Sequence, residues 1–124
     1  MRVLVVEPKC KPEVQEIDDR LEAMQEIVGG LIQALYPFKE PVVLICNDEG
    51  KMLNLPANRG LRNEDGELYD IVVGTFFLCG APPDSDSFVS LTSEQIEKYG
   101  ELFHNPEMFL ETDGHIVCLP LDID

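Results

Sequence analysis

Glu94, Glu97 and Glu101 recur at i, i+3 and i+7. On a helix that spacing lines three carboxylates along one side. Glu64, Asp65 and Glu67 form a second acidic cluster in a polar stretch. Carboxylates set out in this way attract the Lys- and Arg-rich surface of another protein, which meets them as it would meet DNA phosphates. A different chemistry is offered by Asn58 and Arg59. A guanidinium presents a planar fork to carboxylate or phosphate, and an Asn amide reads another amide or a base edge. Gln25 is a further amide that the fold could turn toward the same region. A pocket near Asn58 and Arg59 would suit a small ligand or nucleotide, which the protein would sequester.

Catalytic groupings are not apparent. His104 and His115 have no obvious partner nearby in sequence, and His104 falls where a helix is expected to end, a position that suits a partly positive ring. His115 and Cys118 have the spacing of two metal ligands, but two further ligands are not visible. Cys10, Cys46, Cys79 and Cys118 contain no CxxC pair, and the last three lie in apolar runs, as small buried hydrophobes do. Val28-Gly29-Gly30 lacks the Lys and the spacing of a phosphate loop. A non-enzymatic protein without metal or cofactor is the expectation.

Charge sharpens that expectation. The 124 residues carry a net charge of −15, with a pI near 4.3. Direct binding to nucleic acid relies on Lys and Arg displacing counterions, and is disfavoured here. Residues 63–124 hold a single basic residue, Lys98, so the acidic excess sits almost wholly in the second half. The opening apolar run is too short for a signal-peptide core, and no stretch approaches the roughly 20 apolar residues that span a bilayer. A cytoplasmic protein with no membrane partner is expected, and its oligomeric state is left open.

These residues must be positioned by one compact domain, the size that this length supports. Residues 2–7 read as a strand closed by Pro8. Val14, Ile17, Leu21, Met24, Ile27 and Val28 recur at helical spacing, which predicts a helix over 13–28 stopped by Gly29-Gly30. Strands are expected over 31–36 and 41–46, with 51–53 returning as a hairpin partner after Asn47-Asp48-Glu49-Gly50. Residues 54–60 read as loop or short helical turn, 62–67 as a solvated loop, and 71–79 as one long central strand buried on both faces. Thr92 and Gln95 match a capping box, opening a second helix that ends before Asn105-Pro106. Residues 115–119 read as a last strand. The fold class is α+β, a mostly antiparallel sheet of about five or six strands with two helices packed on it.

Several motifs occur in a fixed order: Leu21-x-x-Met24-Gln25-x-x-Val28-Gly29-Gly30, the 47–51 turn, Leu55-Pro56-Ala57-Asn58-Arg59, and Ser90-Leu91-Thr92-x-x-Gln95-x-x-x-Tyr99. Together they resemble DUF3846, a domain of unknown function found in phages, plasmids and conjugative elements. The resemblance spans residues 1–103 and brings no catalytic residues. It implies an accessory protein of a mobile genetic element. Combined with the charge, the expected partner is a host or element protein, a DNA-binding one in particular, held by the acidic C-terminal half.

Overall fold

The computed structural model describes residues 1–121. Two helices and nine strands form a single α+β domain: β1 (Arg2–Val6), β2 (Glu13–Glu16), α1 (Leu21–Val28), β3 (Ile32–Leu35), β4 (Val42–Asn47), β5 (Ala57–Arg62), β6 (Leu68–Val73), β7 (Phe76–Gly80), α2 (Ser93–Leu102), β8 (Glu107–Thr112) and β9 (His115–Pro120). The main sheet has five strands in the order β2-β1-β7-β4-β3, every neighbouring pair antiparallel. β5 with β6 and β8 with β9 form two further antiparallel pairs.

The central strands are buried on both faces, and their side-chain alternation divides the core in two. Val3, Val5, Val43, Ile45, Phe77 and Cys79 face α1 through Met24 and Val28. Leu4, Val6, Val42, Leu44, Phe76 and Leu78 face the opposite way, where α2, β5 and β6 cover them with Tyr99, Phe103, Leu61 and Val72.

Four sequence expectations are corrected. The helix expected over 13–28 begins only at Leu21, because Glu13–Glu16 instead pairs with β1 as an edge strand. Val14 and Leu21 are accordingly exposed, and only Ile17, Met24, Ile27 and Val28 of the expected stripe reach the core. Residues 51–53 do not return as a strand; they continue a tight turn in which Leu53 N–H bonds the Glu49 carbonyl, and β4 pairs with β3 and β7 instead. The expected strand over 71–79 is two strands in two sheets, broken at Gly74. Gly74 has φ +74°, and a Cβ there would lie 2.7 Å from Leu55 Cδ1, so only glycine fits the bend. Strand β5 (Ala57–Arg62) occupies the end of the stretch 54–60, expected as loop or short helical turn, and the first residue of the loop expected over 62–67. Strand β8 was not anticipated from the sequence.

Candidate functional site

The acidic row rests on α2. Thr92 Oγ1 accepts from the Gln95 N–H at 3.1 Å, and Gln95 Oε1 accepts from the Thr92 N–H at 2.9 Å, so the expected capping box fixes where the helix begins. Tyr99 and Phe103 then bury against Phe38 and Phe76 with ring centroids 4.5 to 6.2 Å apart, which sets the rotation of the helix. Glu94, Glu97 and Glu101 lie on the opposite side, exposed. Lys98, beside them, is held by Glu40 at 3.2 Å, and the Tyr99 hydroxyl donates to the same carboxylate. Those two bonds hold Glu40 below the usual carboxylate range. Burial, reinforced by Glu40, pushes the Tyr99 hydroxyl up. Among the described residues, ion pairs reach Glu16, Asp18, Glu40, Glu64, Asp70 and Glu107, and none reaches the α2 row.

The second cluster occupies the turn between β5 and β6. Asn63 Oδ1 accepts from the N–H groups of Asp65 and Glu67, and Gly66 takes φ +80°, so the chain reverses with Glu64, Asp65 and Glu67 pointing to solvent. Glu64 pairs with Lys39. Because Lys39 reaches this turn while its neighbour Glu40 reaches α2, the loop that carries both lies between the two acidic elements.

A cleft of about 380 Å³ opens beside that loop, lined by Pro37, Phe38, Arg62, Glu101, Leu102 and Glu107 among others. Glu107 anchors one wall. Its carboxylate accepts from Arg62 and, at 2.7 Å, from the Gly60 N–H, which keeps the Arg62 guanidinium firmly charged. Glu107 was not singled out from sequence. The signal around it is the short apolar run Met108-Phe109-Leu110, too short to distinguish a strand from a loop.

Asn58 and Arg59 are placed differently from the sequence expectation. Both are 1% exposed and neither lines the cleft, which their neighbours Gly60, Leu61 and Arg62 do. Asn58 Nδ2 donates to the Val6 and Gly74 carbonyls, each at 2.8 Å. Arg59 donates to the Phe103 carbonyl from Nε and Nη2, to the Cys10 carbonyl from Nη2, and to Asn58 Oδ1 from Nη1. Burial lowers the Arg59 pKa, while Glu107 at longer range favours the charge. With these donors engaged inside the protein, the pair binds chain to chain rather than protein to ligand. Gln25 does not join them: α1 packs on the other face of the main sheet. His115 and Cys118 also separate, because the β8–β9 register puts them on opposite faces of the hairpin. Cys46 and Cys79 are buried in apolar surroundings that push their thiols up to about 11 and about 12, while Cys118 is only half-buried and Cys10 is exposed.

No helix among the described residues is long and apolar enough to cross a membrane. Neither a curated protein nor a solved structure matches the chain. The model of one family does, over residues 1–104, which include both helices, the main sheet and the β5–β6 pair. The chain therefore belongs to DUF3846, a domain of unknown function.

Proposed function

We propose that this protein is a non-enzymatic accessory protein of a mobile genetic element that binds a basic protein partner through the acidic face of α2. Glu94, Glu97 and Glu101 provide the contact, and Glu64, Asp65 and Glu67 extend it across the loop holding Lys39 and Glu40. The observation that carries the reading is the exposed α2 row with no ion-pair partner among the described residues, on a helix whose single lysine is already held by Glu40. Such a row has its charge free for an incoming cation. The mechanism is competitive occlusion: the carboxylates take the place of phosphates on a DNA-binding protein and keep it from DNA. The protein itself stays off nucleic acid, since its net charge of −15 repels phosphates.

The test is capture from a bacterial lysate at low and high salt. The baits are the wild type and a variant carrying Glu94→Gln, Glu97→Gln and Glu101→Gln. The expected result is a basic partner retained by the wild type at low salt, released by high salt or by competing duplex DNA, and not retained by the variant. A partner retained equally by both baits would overturn the reading, and so would the capture of no partner by either.

A further inference from the structure

The cleft beside α2 joins apolar walls to charged ones. The end of α2 supplies Glu101 and Leu102, the loop before β4 supplies Pro37 and Phe38, and β5 and β8 supply Arg62 and Glu107. Phe38 is half-buried: Tyr99 and Phe103 hold its ring at centroid distances of 4.5 and 6.2 Å, and its remaining surface lines the cleft. Leu102 belongs to the apolar stripe of α2 and is nevertheless 60% exposed. The volume of about 380 Å³ is at the small end for ligand-binding clefts, so it suits one side chain or small group.

Charge decides what kind of group. Standing alone, Arg62 would draw an anion. Glu107, which lies beyond the end of the family match at residue 104, pairs with Arg62 and cancels its charge. The Glu101 carboxylate is left, with no ion-pair partner among the described residues. The cleft also lies beside the loop between the two acidic elements, so the surrounding field favours a cation. We propose that it seats an arginine side chain of the basic partner, with the stem along Leu102 and Phe38 and the guanidinium on Glu101. This rests on the reading of the α2 row and adds which residue of the partner is the anchor. The walls select arginine over lysine. A guanidinium is planar and weakly hydrated, lies readily on an aromatic ring, and gives two parallel bonds to a carboxylate. An ammonium is strongly hydrated and gains less between apolar walls.

The experiment titrates the full chain at low salt with two capped peptides, glycine alternating with arginine in one and with lysine in the other, and follows the backbone amides by NMR. The arginine peptide is expected to bind about threefold or more tightly than the lysine peptide of equal charge. It is also expected to shift the amides of Gly60, Arg62 and Leu102, which line the cleft. Glu101→Gln removes the carboxylate and Leu102→Trp fills the cleft, and each is expected to erase the preference for arginine. Leu102 is exposed, so its replacement leaves the fold intact. Glu94→Gln combined with Glu97→Gln is expected to weaken both peptides by a similar factor and to keep the preference. Equal binding of the two peptides by the wild type, binding of neither, or a preference that survives both cleft variants overturns the proposal. If the double variant binds both peptides as the wild type does, that counts against the α2 row alone, while a preference retained there still supports the cleft.

Discussion

Arg59 hydrogen-bonds acceptors in three places along the chain: the Phe103 carbonyl at the end of α2, the Cys10 carbonyl beyond β1, and its neighbour Asn58. It thereby ties the helix that carries the acidic row to the two strand systems beneath it, and its cation sits where the carbonyl end of α2 is negative. An ammonium has three donors on one atom and cannot span these acceptors as a fork does. Arg59→Lys is expected to cost about 2 kcal/mol, and Arg59→Leu about 3 kcal/mol or more, because buried carbonyls are left without partners. Urea unfolding of both variants checks the order; an Arg59→Leu variant as stable as wild type would contradict it. The sequence marked Asn58 and Arg59 as special but could not show where their forks aim. A guanidinium directed at a ligand and one directed at carbonyls need the same residue type, and only the fold decides between them. At Tyr99 the sign of a pH effect follows from the raised pKa of its hydroxyl. The unfolded chain releases that proton near pH 10 while the folded chain retains it, so the stability contributed is present below about pH 10 and lost progressively above it. Tyr99→Phe is expected to flatten the alkaline fall in the urea midpoint, and an unchanged slope would contradict the link to Tyr99.

The second helix was the most legible element, because its start is written in four residues and its apolar stripe in Ile96, Tyr99, Leu102 and Phe103, of which Leu102 alone stays exposed. Thr92→Ala removes the capping oxygen and is expected to cost about 1 kcal/mol. That corresponds to roughly 4 °C in thermal midpoint for a domain of this size, measurable by calorimetry; no shift would mean that packing alone fixes the helix start. The central strands of the main sheet were legible for a similar reason, since Val42–Asn47 and Phe76–Gly80 are apolar runs with both faces covered. Failures came where tertiary pairing overrode local pattern. Val14 and Ile17 have helical spacing with the residues after them, yet the open edge of β1 takes Glu13–Glu16 as a strand. Residues 71–79 are one apolar run by composition, and the break at Gly74 is set by contact with Leu55, which lies far off in sequence. β5 was hidden because Asn58 and Arg59 are polar, and their burial becomes affordable only when distant carbonyls complete their bonds.

Across the whole molecule the charge is arranged by element. The exposed row on α2 and the turn between β5 and β6 are acidic, while one face of the β8–β9 hairpin carries no carboxylate. Screening by salt weakens attachment of a basic partner to the acidic row. The acidic half was legible from sequence alone because it is a matter of counting and of helical spacing. The neutral face was not, since it depends on the register that Asp113-Gly114 imposes. The most direct measurement is the affinity of the captured basic partner, taken by calorimetry across a salt series, for the wild type and for the variant in which Glu94, Glu97 and Glu101 are all Gln. The account predicts that wild-type affinity falls steeply as salt rises, and that the variant binds more weakly with a shallower dependence. An affinity that ignores salt, or a variant that binds as tightly as wild type, would contradict it.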